Sequence, residues 1–305
     1  MSHLVILNQP VAGWFRITSD KHFLYFSYSC VMDVFKKIPL ALALLWATSS
    51  LAQTSLPIPL NIQAAYNKGT RSINGTPGKN YWQNRPDYNI KVSFNPQSRV
   101  LDGTVDIDYT NNSPDTLYQV LFKLYPNLFK KGVVRAMPIR AEDITDGVKI
   151  KKISIDQQEQ DTASLANDGT NMMIKVAGLL PKHTIHFTIN YDYTLNKTSH
   201  IRTGQVDTGA FFIAYFFPRV AVYDDVDGWN MNPYRGSEEF YNDFCHFKAE
   251  ITVPGNYQVW ATGNLTNPAQ VYTDRYVKRI NDAGLSDKVT DIITIADLKE
   301  DNISP

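Results

Sequence analysis

Two-residue alternation of apolar and polar side chains is the feature that most narrows what this chain can fold into. In DYNIKVSF, Tyr88, Ile90, Val92 and Phe94 alternate with polar neighbours; NPQSR turns the chain, and TVDIDY alternates again at Val105, Ile107 and Tyr109. Successive side chains of a strand point to opposite faces, so the pattern suits a strand with one buried face, and the pair reads as a β-hairpin. NNSPD makes the next turn, after which Tyr118, Val120, Phe122 and Leu124 are expected on one face of a third strand that stops at Pro126. Ile185, Phe187, Ile189, Tyr191 and Tyr193 mark a long strand, HFKAEITV and YQVWATG mark two more, and no helix is expected before Asp282. Such repeated alternation between Gly, Asn and Pro turns predicts a mainly β, antiparallel domain whose sheets are solvated on one side.

The ends of the chain read differently. Met32 opens MDVFKKIPLALALLWATSSLAQ, in which Lys36 and Lys37 precede an apolar run from Ile38 to Ala47 and small residues at Ser50 and Ala52. Charge, apolar run and small-residue site in that order make residues 32–52 a secretory signal peptide, cut between Ala52 and Gln53. The run is shorter than the roughly 20 residues of a membrane span. Because a signal peptide acts from the N-terminus, residues 1–31, which show no period, read as an upstream extension and Met32 as the true start. Gln53, not cysteine, follows the cut, so lipid attachment is not expected, and the product is expected in the periplasm or outside the cell with no membrane span in the mature chain. Residues 53–80, rich in Pro, Asn, Gly and Thr, read as a linker, and residues 81–305 as the domain.

Thirty Lys and Arg balance thirty Asp and Glu. A neutral chain lacks the basic patch that nucleic acid or an anionic membrane calls for, so no nucleic acid is expected as partner. Cys30 precedes the signal peptide and Cys245 stands alone after it, which leaves an exported product without an internal disulfide and dependent on its core. Cys245 is read as buried and inert.

The search for chemistry returns little. No histidine is followed by Glu, so H-E-x-x-H is absent; His183 and His186 are three apart but lie in a strand pattern, where solvent-facing histidines are ordinary. Cys245 and His246 are neighbours and face opposite ways on a strand, which is poor geometry for a nucleophile and its base. Phosphate-binding glycine loops and G-x-S-x-G are also missing. The densest cluster of reactive groups is YFFPRVAVYDDVDGWNMNPYRGSEEFY, residues 215–241. Asp225, Asp227 and Asn230 carry calcium-type oxygens with Gly228 for a turn, but the spacing is not that of an EF-hand, and acids in such turns usually cap backbone.

The patterns YFFPRVAVYDD, GW, PYRGSEEFYNDF, FKAEITVP and VWATGNL, with VDIDYTNNSPDTLYQVLFKLYPN before them, resemble the N-terminal domain of bacterial zinc aminopeptidases of the aminopeptidase N family, exported members in particular. The resemblance runs from about Tyr81 to Asp291. It implies an antiparallel, saddle-shaped β domain that leans on a thermolysin-like catalytic domain and closes one side of its peptide-binding cleft. In that family the zinc site and the G-x-M-E-N strand lie C-terminal of the matched region. Neither motif occurs in this sequence, so the resemblance implies a domain truncated before its catalytic half and incomplete at its C-terminus, with no cofactor bound by this chain and zinc in the full-length relatives. Catalytic and metal residues are therefore expected to be none.

By position in the resemblance, Thr208 and Gly209 face the substrate. Pro218 sits in the strand that turns away from the cleft, and Tyr223, Trp229, Tyr234, Phe240 and Tyr241 are expected to fill the core and its rim. Residues 282–305 hold one short apolar run, Ile292 to Ile295, and are expected to add little to the core. The partners implied are the missing catalytic domain and, in the parent enzyme, a peptide substrate. A reading of another class is a stand-alone β module of the cell envelope that binds carbohydrate or protein, with Trp229 and Tyr234 as exposed platforms.

Overall fold

Sequence alternation becomes strand pairing in the computed structural model, which describes residues 56–297. Strands β1 (Arg85–Asn95), β2 (Val100–Thr110), β3 (Leu117–Lys123), β4 (Lys149–Ile155), β5 (Gln158–Gln160), β6 (Ala166–Asp168), β7 (Asn171–Leu179) and β8 (Thr184–Thr194) come first. β9 (Thr203–Asp207), β10 (Ala210–Ile213), β11 (Arg219–Val220), β12 (Tyr223–Asp224), β13 (Gly228–Trp229) and β14 (His246–Thr252) follow. The first sheet runs β14-β1-β2-β8-β4-β5 and the second β11-β3-β7-β6, while β9 with β10 and β12 with β13 form separate pairs. Every pair is antiparallel except β14 with β1, which is parallel. The chain is thus mainly β, built of antiparallel sheets.

The two sheets bury a common core between them. Tyr88, Ile90, Val92 and Phe94 of β1, Val105, Ile107 and Tyr109 of β2, and Ile185 through Tyr193 at alternate positions of β8 are all buried in one cluster. Phe122 of β3 meets Phe187 of β8 edge to face across the layers at 5.2 Å. Each fully buried Ile, Val or Phe contributes about 1.5–3 kcal/mol by leaving water, which makes this cluster the main source of stability where the described residues hold no disulfide. Gly103 is required where β2 passes the core, because a Cβ there would lie 2.8 Å from the Tyr191 ring and from Val92.

The second sheet departs from the expected one-sided pattern. A register shift between Leu117 and Gln119 turns Tyr118 outward, where it is 67% exposed, instead of placing it with Val120 and Phe122. From Val120 to Leu124 both faces of the chain are buried, because residues 228–234 cover the side of β3 that alternation assigns to solvent.

Three more expectations change. Residues 60–68, in the segment read as a linker, form helix α1 (Leu60–Lys68), and a single helical turn at Pro268–Val271 and helix α2 (Asp274–Gly284) also begin before Asp282. α1 has little apolar face to announce it; it ends on Gly69 in the left-handed conformation that closes helices without a Cβ clash. YQVWATG forms no strand: Tyr257 lies against Phe211, with ring centres 6.5 Å apart, and Trp260 against Tyr272 at 6.1 Å. Ile295 is exposed, yet buried Asp297 ties the segment after α2 back to Arg275 and Arg279 of that helix at 2.6 Å each. Among the described residues no helix is long and apolar enough to cross a membrane. The signal peptide and upstream extension assigned to residues 1–52 lie outside the described residues.

Candidate functional site

The aromatic and acidic stretch 215–241 makes only short backbone pairings, so side chains do most of the positioning. β11 adds to β3 through Arg219 and Val220, and the Ala221 N–H donates to the Leu121 carbonyl at 2.8 Å. The Val220 N–H donates to the buried Tyr88 hydroxyl at 3.1 Å. Pro218 is buried beside Phe217, which packs on Tyr88 at 5.2 Å. Trp229 is buried between Tyr223 and Tyr109, at 5.2 and 6.1 Å. Tyr125, just beyond β3, gathers Phe240, Tyr234 and Tyr215 at 4.6, 5.4 and 5.8 Å in edge-to-face contacts that rings prefer. Tyr241 stays 47% exposed at the rim.

Four of the five carboxylates of the stretch hold donors nearby, while Glu239, 91% exposed at its side chain, only meets Arg202 at 3.5 Å. Asp224 accepts the Val226 and Asp227 N–H groups on one oxygen, at 3.0 and 2.8 Å, and the Tyr241 hydroxyl on the other at 2.9 Å. Asp225, only 2% exposed at its side chain, is gripped by Arg71, with Nη2 2.7 Å from Oδ1. Burial opposes the charge of Asp225, but the Arg71 guanidinium outweighs it and holds the carboxyl below its ordinary range. Asp227 accepts from Asn61 of α1 at 2.8 Å, and Glu238 from the Arg235 N–H at 3.2 Å. Asp225, Asp227 and Asn230 are therefore not gathered around a common point of the calcium kind.

Lys123 is the residue that pattern reading misses. It is buried at the end of β3, and its ammonium donates to Asn171 Oδ1 at 2.8 Å and to the carbonyls of Asn230 and Asn232 at 2.7 and 2.8 Å. Burial pushes its pKa down to about 8. Its three hydrogens meet three neutral oxygens, so it pins the loop after β13 to the second sheet instead of presenting a free amine. The signal was present in VLFKLY: a lone lysine among apolar residues of a strand must find partners where it is buried. Lys123 lines an open hollow of about 370 Å³ together with Tyr125, Tyr234, Phe240, Tyr241, Glu238 and Glu239. The walls of the hollow hold no histidine, serine or cysteine; the titratable groups on them are Lys123, Arg235, the two glutamates and the tyrosines.

The remaining candidates are dispersed. Thr208 and Gly209 form the exposed tip between β9 and β10, where the Thr208 N–H caps Asp207 at 2.7 Å and Gly209 takes φ +74. His186 pairs with Asp108 at 2.8 Å, His246 meets Arg85 at 2.9 Å, and His183 meets the Pro181 carbonyl at 3.0 Å. Cys245 is half-buried, not buried as expected: it closes the outer end of the core, where Arg219 donates to its sulfur at 3.2 Å. Burial still pushes its thiol up, away from reactivity. Zinc is implied by the family resemblance, but these donors do not fit it. Among the described residues no three His, Cys, Asp or Glu converge on one point.

No family model matches the sequence, and the curated proteins give no match. Solved structures give weak ones. The M1 zinc metallopeptidase from Deinococcus radiodurans is 14% identical over 60% of this chain and 34% of its own, at a TM-score of 0.34. A variant of that enzyme bound to a Tyr-Ser-Ala substrate is 14% identical over 63% and 37%, at 0.35. Legionella pneumophila aminopeptidase A in complex with aspartic acid is 8% identical over 37% and 10%, at 0.23. The chain spans about a third of the length of the first of these.

Proposed function

We propose that this chain is the non-catalytic β domain of an exported zinc aminopeptidase, and that it serves as one wall of the cleft of a separate catalytic domain. One observation carries the reading: six separated motifs, from VDIDYTNNSPDTLYQVLFKLYPN to VWATGNL, stand in the order of the aminopeptidase N family, while the zinc motif and G-x-M-E-N are absent from the sequence. The geometry of the site supports it. The aromatic and acidic stretch spends its side chains on packing and caps, which is what a wall requires, and the exposed tip at Thr208 and Gly209 is the part offered to a peptide. The alternative envelope module loses its stated platforms, since Trp229 and Tyr234 are 8% and 6% exposed.

The DNA immediately downstream tests the proposal. An H-E-x-x-H in any reading frame supports it, and that product, supplied in trans, should bind this chain and gain peptidase activity. A clean intergenic gap with a terminator would count against it. Export through residues 32–52 belongs to the same reading, and N-terminal sequencing of the secreted product should begin near Gln53; a start at Met1 or Met32 would refute that part.

A further inference from the structure

β14 ends the first sheet, and among the described residues no strand pairs with its far edge. Six of its seven residues are exposed. Phe247, Ala249 and Ile251 stand beside Tyr88, Ile90 and Val92, so they continue the apolar inner face, yet Phe247 stays 50% exposed although Phe217 and Arg219 lie against its ring at 5.7 and 5.3 Å. Lys248 and Glu250 lie on the outer face beside Asn89 and Lys91. An open edge is a template for another strand, and proteins usually blunt it with proline, a bulge or several charges. HFKAEIT has no proline, no glycine and two charges of opposite sign.

We propose that a second copy of this chain occupies this edge, the two β14 strands pairing antiparallel about a twofold axis at Ala249. Of the symmetric registers, that one alone sets Lys248 and Glu250 against each other. Because paired residues must share a face, the axis has to pass through a residue, not between two. An axis at Ala249 sets Lys248 opposite the partner's Glu250, Phe247 opposite the partner's Ile251 and His246 opposite the partner's Thr252. An axis at Lys248 or at Glu250 would instead set like charges face to face, which destabilises a pair. The twofold stands perpendicular to the sheet, so the inner faces continue one another and the exposed Phe247 gains an apolar cover. Such an interface is isologous and closes at two chains. This inference does not depend on the aminopeptidase reading, since it uses only the edge and its own sequence.

Sedimentation equilibrium of the full chain, with charge-reversed variants, tests it. A monomer–dimer equilibrium is expected. K248E alone or E250K alone should raise its dissociation constant roughly tenfold, since each reverses two cross-strand pairs, and K248E/E250K together should return it to within about threefold of the parent. K248E breaks no contact within the chain, so a folding defect in E250K, whose side chain meets Lys91, would not end the test. In a C30S/C245S background, A249C should cross-link to itself under mild oxidation. A chain that stays monomeric at high concentration would overturn the proposal. So would a dimer indifferent to K248E that fails to cross-link. Slow amide exchange along β14 in the dilute monomer would overturn it in favour of residues 257–263 of the same chain, which alternate like a strand and form none here.

Discussion

The centre of the first sheet and the stretch 215–241 bury similar side chains by opposite means. β1, β2 and β8 each run eleven residues, in register along their whole length, and their inward rings follow from that ladder. In 215–241 the three strands are two residues each, and the backbone is satisfied by Asp224, Lys123, Thr170 and the Tyr88 hydroxyl. In the first region the backbone dictates the packing; in the second, side chains dictate the backbone. Apolar truncation should therefore hurt most in the sheet, whereas loss of a single polar group should unravel the stretch.

The largest expected effect is in the sheet. Phe187→Ala should lower unfolding free energy in urea by about 3–5 kcal/mol, the range for a large ring removed from a closed core. Next comes the peg of the second region: Lys123→Met keeps the length of the side chain but leaves three buried oxygens without a donor, an expected loss of about 2–4 kcal/mol. Amide exchange should quicken around 228–234 and not in β8, and equal quickening in both would erase the contrast drawn above.

Lys123 also gives the comparison a pH signature. Its folded pKa of about 8 lies below the ordinary lysine value of 10.5, so between these the unfolded chain binds more protons and stability rises with pH. The cost of burying the ammonium is present below pH 8 and fades as pH climbs toward 10. Above that, buried tyrosines such as Tyr88 and Tyr109, whose pKa values burial raises, act in the opposite sense. A parent chain that gains stability from pH 8 to 10 where Lys123→Met does not would support this placement of the charge; parallel profiles would refute it.

A smaller effect, about 1–2 kcal/mol, is expected for Arg71→Met, which strands the Asp225 carboxylate while Arg71 itself is 40% exposed at its side chain. The readout is loosening of α1 by amide exchange. That contribution is present at neutral pH and is lost as pH falls below the ordinary carboxylate value through the depressed folded one. The smallest effects belong to Tyr191→Phe and Tyr193→Phe, whose buried hydroxyls have no hydrogen-bond partner among the described residues; each should change stability by less than about 0.5 kcal/mol or raise it slightly. A loss above 1.5 kcal/mol at either would point to a partner within the core.

The same division explains what the sequence could tell. Period-two alternation places Tyr88 to Phe94, Val105 to Tyr109 and Ile185 to Tyr193 correctly, because one face of each strand meets the core and the other meets water. It misplaces Tyr118, since a bulge is a one-residue slip that no propensity signals. YQVWATG reads as a strand but finds no pairing, and α1 lies in the stretch read as a linker because its apolar residues gather on no sustained face. What Lys123 and Arg71 bind was out of reach for another reason. Their partners are 48 to 154 residues away in sequence, at Asn171, Asn230, Asn232 and Asp225, and a burial created by distant chain leaves no local period.

The central proposal is that the reactive-looking side chains of 215–241 are structural and that this chain serves a catalytic partner without doing chemistry itself. Zinc analysis of the purified chain beside an aminoacyl anilide assay, with and without a chelator, tests it most directly. The account predicts zinc well below one per chain and no chelator-sensitive release of product. One zinc per chain together with chelator-sensitive hydrolysis would contradict it.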